Sequence, residues 1–149
     1  MPEKRTLERA EKDKREGKSA STQAGEFVRE EIDHIREGKH GARNSKQAIA
    51  IGLSKARRAG VKLAPPKAGK VSKRTRKQAA RDTAKGSSSS KRAPSRKRSR
   101  AISAALKREG RAAASHSSLS RQAHASARSR GASNRRQAAR KAARTSRNK

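Results

Sequence analysis

Large apolar side chains are too few in this sequence to build a large core. Leu, Ile, Val and Phe together supply 14 of 149 residues, roughly 9 per cent, where a highly charged chain below ~20 per cent is expected to be disordered. Most of the other hydrophobic residues are alanine, which buries little area. Ordering a residue costs ~1–2 kcal/mol of backbone entropy, and so little apolar surface cannot offset that cost along the whole chain. The expectation is a mostly disordered, all-α protein: a short helical hairpin at about 25–60, then a long basic tail of helix-prone segments.

The position of the few large residues places that hairpin. Phe27, Val28, Ile32, Ile35, Ile49, Ile51, Leu53, Val61 and Leu63 fall close together, whereas the chain beyond Leu63 holds only Val71, Ile102, Leu106 and Leu119. Val28, Ile32 and Ile35 stand at i, i+4 and i+7 with Phe27 beside them, the spacing of one helix face. Thr22 is the expected N-cap and Gly38 the stop. A second helix opens at Asn44-Ser45-Lys46-Gln47, which has the form of a capping box. Ile49, Leu53 and Ala56 line its expected packing face. Gly60-Val61 suits a left-handed cap, and Pro65-Pro66 forbids continuation. The link from Gly38 to Asn44 allows the two helices to lie antiparallel.

Charge divides the chain elsewhere. Residues 1–40 hold ten basic and ten acidic side chains, and only Asp82 and Glu109 are acidic beyond them, so the net charge of +31 belongs to residues 41–149. This is a near-neutral head with a basic interaction tail. The segments read as 1–21, charged but near-neutral; 22–64, the hairpin; 65–98, a basic Pro/Ser-rich linker including the Ser87–Ser90 run; and 99–149, an Ala/Ser/Arg-rich tail. Ala, Arg, Lys and Gln are good helix formers, but like charges one turn apart oppose a helix. Segments 99–109, 118–130 and 134–146 are therefore expected to become helical when an anion removes the repulsion.

The stretch Ser45-Lys46-Gln47-Ala48-Ile49-Ala50-Ile51-Gly52-Leu53-Ser54-Lys55-Ala56-Arg57-Arg58-Ala59-Gly60 resembles the core of small, highly basic bacterial proteins defined by a domain of unknown function. Residues 105–113 and 119–123 are similar to the tails of those proteins. The resemblance implies a bacterial cytoplasmic protein with a histone-like role, and it brings no catalytic residue with it. The tail also resembles histone H1-type tails in composition, although the Lys-Pro-Ala repeats of those tails are missing.

A large positive charge selects nucleic acids or anionic membrane surfaces as partners. Each phosphate neutralised by Lys or Arg releases counterions, which favours binding without any surface that reads bases. The residues expected to contact phosphate are Lys73, Arg74, Arg76, Lys77, Lys91, Arg92, Arg96, Lys97, Arg98, Arg100, Lys107, Arg108, Arg121, Arg128, Arg130, Arg135, Arg136, Arg140, Lys141 and Arg144. With no Tyr or Trp, stacking platforms for single strands are lacking, and DNA is favoured over RNA. A membrane-surface polycation needs bulky apolar residues opposite its charges, and the tail supplies alanine instead.

Other chemistry finds no support. There is no Cys. His34 and His40 lie six residues apart and His116 and His124 eight apart, unlike the i, i+4 ligand pair on a helix, so neither metal nor cofactor is expected. Gly17-Lys18-Ser19 ends like a phosphate-binding loop, but Lys12 stands where the pattern needs glycine. Serines such as Ser99 and Ser129 follow arginine and are open to phosphorylation, although serine is also ordinary filler in a basic tail. No integral membrane association, small-molecule substrate or enzymatic activity is expected. The function expected is non-sequence-specific DNA binding and compaction by a histone-like, nucleoid-associated polycation in the bacterial cytoplasm. The alternatives are an RNA- or ribosome-associated basic protein, or a protein partner for 22–64 with the tail serving to localise it.

Overall fold

The computed structural model describes residues 1–88 and 95–147. Among them the chain is all-α. The helices are α1 (Lys4–Arg15), α2 (Ala20–Arg36), α3 (Ser45–Arg58), α4 (Lys73–Ser87), α5 (Arg96–Lys107), α6 (His116–Ser129) and α7 (Gly131–Arg147), with a 3-10 turn at Ala112–Ala114 before α6. The expectation of a mostly disordered chain is therefore corrected. Helix formation here rests on intrinsic propensity and capping rather than on bulk. Ser19, Asn44, Ser72 and Ser115 each accept a backbone N–H in the first turn of α2, α3, α4 and α6, and such a cap is worth ~1 kcal/mol. In α7, Arg136, Arg140 and Arg144 repeat at i+4, yet the helix forms. That repulsion amounts to only ~0.2–0.5 kcal/mol per pair, and Ala and Arg rank among the best helix formers.

The hairpin of α2 and α3 is the centre of the molecule. Phe27, midway along α2, packs with Ala56 near the end of α3. At the opposite end, Ile35 packs with Ala48. The helices are thus antiparallel. α2 starts earlier than the expected Thr22, because Ser19 Oγ accepts the Thr22 N–H at 3.3 Å. Asn44 caps α3 as its sequence suggests, with Oδ1 accepting the Gln47 N–H at 2.9 Å, and Gln47 Oε1 accepts from the Arg43 N–H at 2.7 Å. Gly60 ends the unit at φ 98°, and the Val61 N–H reaches back to the Ala56 carbonyl at 3.1 Å, the hydrogen bond of a left-handed cap.

The packing face of α3 differs from the expected Ile49, Leu53 and Ala56. Ala56 is buried as expected, but Ser45, Ala48 and Gly52 are buried with it, while Ile49 and Leu53 are only half-buried. Close approach explains the choice. A Cβ on Gly52 would lie 2.6 Å from Val28 Cα and 2.9 Å from Val28 N, so the two backbones meet where only glycine fits. A stripe of small residues lets the helices approach more closely than an isoleucine stripe would, and dispersion contacts between densely packed backbones replace bulk.

The remaining elements are added to this pair. α1, inside the charged but near-neutral 1–21 segment, buries Thr6, Ala10 and Asp13 against α2. α4 lies inside the expected 65–98 linker and packs on α3 through Ala79 and Asp82. Asp82, 3% exposed, accepts from Ser54 Oγ at 2.6 Å and Gln78 Nε2 at 3.2 Å. The tail then returns to the head. Ala113, Ala114 and Leu119 join Ile32, Ile35, Ala42 and Ala48 in one apolar cluster. Ser45 Oγ lies 2.9 Å from the Ala113 carbonyl and 2.6 Å from Ser118 Oγ, and Arg36 Nε donates to the Ala114 carbonyl at 3.1 Å. Packing thus extends beyond the expected hairpin.

Candidate nucleic-acid interface

The basic surface is carried by α4, which turns Ala79 inward, and by the exposed faces of α5, α6 and α7. On α4, Lys73, Arg74, Lys77, Arg81 and Lys85 occupy the half of the helix turned away from Ala79 and Asp82, and all five are exposed. α5 buries none of its residues, so Arg96, Lys97, Arg98, Arg100 and Lys107 stand in solvent, with Arg108 just beyond. α5 is fastened by main chain at its end, where the Gly41 N–H donates to the Leu106 carbonyl at 2.9 Å and the Ala42 N–H to the Gly110 carbonyl at 3.1 Å. On α6 and α7, Arg121, Arg128, Arg135, Arg136, Arg140, Lys141 and Arg144 are exposed, as are Arg76 on α4 and Arg130 between α6 and α7. Lys91 and Arg92, also expected as phosphate contacts, lie outside the described residues.

Acids available to neutralise these cations are few. Beyond residue 40 the sequence offers Asp82 and Glu109, and Asp82 is already buried beside Ser54, Gln78 and Arg58, the last at 3.8 Å. Not every basic residue belongs to this surface. Arg57 is buried and donates to the carbonyls of Leu63 and Ala64 at 3.2 and 3.3 Å, clamping the segment after α3. Burial lowers its pKa, against the pull of Asp82.

The head handles its charge internally. Glu30 lies between the Glu3 N–H at 3.0 Å and Lys55 Nζ at 3.2 Å. Burial pushes the Glu30 carboxyl up, but the Thr6 hydroxyl, the Glu3 N–H and Lys55 more than offset it and leave it below the ordinary carboxylate value. The hydrogen bond from His34 and then that from Lys39 hold the exposed Glu3 below that value too. Lys18 is held well above the ordinary lysine value by hydrogen bonds to Asp13 and Glu16.

One cluster in the head was not visible in the sequence. Glu31 is 1% exposed, its Oε1 lies 3.0 Å from His40 Nε2, and its Oε2 lies 2.6 Å from Lys55 Nζ. His34 stands edge-on to His40 with ring centroids 6.2 Å apart. A separation of six residues argues against adjacency on a helix, but α2 has ended by then. Gly38, at φ 77°, reverses the chain and carries His40 back beside the last turns of α2. That glycine was the available signal.

Residues 5–68 match the model of DUF6496, a family of unknown function. The match takes in most of α1, all of α2 and α3, and the clamped segment after them, and ends before α4. It therefore includes the 45–60 stretch that carries the resemblance, while α4–α7 and their cations lie beyond it. No curated protein and no solved structure matches the chain. No helix among the described residues is long and apolar enough to cross a membrane.

Proposed function

We propose that this protein binds nucleic acid through the phosphate backbone with little sequence preference, and that its physiological ligand is duplex DNA, which it compacts in a bacterial nucleoid. The observation that carries this reading is the exposure of the expected phosphate-contacting cations on the described parts of α4–α7, in a region with almost no acids to pair with them. Phosphates are the complementary charge, and contacts to them position a protein without reading bases. Basic helices of this kind also suit the grooves and backbones of a duplex better than the stacking sites that single strands require. The reading needs no catalytic group and no cofactor.

Titration of a random-sequence duplex at several salt concentrations tests it. The logarithm of the binding constant should fall with the logarithm of salt at about −0.9 per phosphate contacted, and with roughly six or more contacts the slope should be about −5 or steeper. A shallow slope, or a thousandfold preference for one sequence, would refute the proposal. RNA offers the same phosphates, and competition between duplex DNA and structured RNA in the same assay separates a ribosome-associated protein from a DNA-compacting one.

A further inference from the structure

We propose that Glu31, His34 and His40 form a binding site for one late first-row divalent cation, zinc above all. The site lies in the head and stands apart from the nucleic-acid reading. Glu31 and His34 are i and i+3 on α2, hence on one face, and the reversal at Gly38 supplies His40. One ligand atom from each of the three residues falls within 4.8 Å of the others. Ligands on tetrahedral zinc sit roughly 3.3 Å apart, given bonds of ~2.0–2.1 Å, and His40 Nε2 and Glu31 Oε1 are already at 3.0 Å. Closing the site requires only an adjustment of side chains.

Charge supports the assignment. The side chains of Glu30 and Glu31 are 2% and 1% exposed, and Lys55 is shared between them. Two buried carboxylates share one ammonium, and beside a neutral His40 this leaves a negative charge that burial makes costly. Neither oxygen of Glu31 accepts a hydrogen bond of good alignment despite the short distances to Lys55 and His40. A cation bound between Glu31 and the two imidazoles would supply the missing charge, with Lys55 remaining on Oε2.

The outer contacts of both rings are those of metal-bound histidines, which bond a carboxylate or backbone carbonyl through their second nitrogen. His40 Nδ1 lies 3.1 Å from the Gly41 carbonyl, leaving Nε2 as its ligand atom. One nitrogen of His34 is held 2.7 Å from Glu3 Oε1, leaving the other. Two imidazoles and one carboxylate suit zinc, copper or nickel better than magnesium or calcium, and a fourth position is left for water.

The test is calorimetric titration of the full chain with zinc salt in a buffer free of chelators, with thermal unfolding followed by circular dichroism. One ion per chain should bind and raise the unfolding midpoint. Glu3→Gln, which removes an outer contact, should weaken binding about 10-fold. His34→Ala and His40→Ala should each weaken it more, about 100-fold, as removing a direct ligand exceeds removing an outer one. His40→Gln checks the result should His40→Ala disturb the fold. His116→Ala combined with His124→Ala should leave binding unchanged. Cobalt should give visible absorption bands that disappear in His40→Gln. Absence of stoichiometric binding, or binding that survives removal of His34 and His40 or follows His116 and His124, would overturn the proposal.

Discussion

Gly52 shows how a chain poor in large side chains still packs. Its missing Cβ is what lets α3 lie on the backbone of Val28, so adding a methyl should force the helices apart. Gly52→Ala is expected to cost ~1–3 kcal/mol, the range for overpacking a dense core, whereas Ala50→Ser, at an exposed site, should change stability by no more than ~0.5 kcal/mol. Urea unfolding followed by circular dichroism distinguishes them, and equal effects would mean that the crossing is misplaced. Glu30 gives the second prediction at this scale. Its folded pKa lies below the ordinary 4.5, so its contribution is fully present above that value and is lost as pH falls through the lower folded value. Glu30→Gln should therefore flatten the loss of head stability below about pH 4.5, measured as the unfolding midpoint against pH. An unchanged acid limb would show that other carboxylates dominate.

At the scale of elements, the spacing of Val28, Ile32 and Ile35 was enough to place α2, and Asn44 and Gly60 bounded α3. What could not be read was which small residues would be buried. Alanine carries no periodic signal in a sequence where it occurs on every face, so Ala48 and Gly52, which complete a stripe with the expected Ala56, were hidden behind the larger Ile49 and Leu53. For the same reason α4 passed for a linker and Ala113–Ala114 for tail. The cations could be named because exposure needs no partner, but the Glu31–His34–His40 cluster depends on a chain reversal that spacing along a helix does not report. The return of the tail has a measurable consequence. A chain ending at residue 68 lacks Ala113, Ala114 and Leu119, uncovering Ile32 and Ile35, and should melt at a lower temperature than the full chain. Asp82→Ala should release α4 by removing the acceptor of Ser54 and Gln78, at ~1.5–3 kcal/mol for hydrogen bonds to a charged group. Hydrogen exchange of the α4 amides reads that directly, and unchanged protection would mean that Ala79 alone holds the helix.

For the whole molecule, the basic side chains are exposed and the carboxylates lie mostly in the head, so the proposed binding should be nearly independent of folding. Replacing Arg96, Lys97, Arg98 and Arg100 together with glutamine should lower DNA affinity and reduce the salt slope, by about 0.9 for each phosphate that is no longer neutralised, with the thermal midpoint little changed. A large drop in that midpoint would show that these side chains serve the fold. The expectation follows from how α5 is attached: no residue of it is buried, and the bonds to Gly41 and Ala42 at its end are made by backbone carbonyls, which every amino acid carries. Such a mooring is indifferent to spelling. Sequence drift along 96–107 can retune the electrostatics or introduce a recognition motif while the rest of the protein stays in place, and a foreign helical peptide grafted there should be displayed without loss of the scaffold.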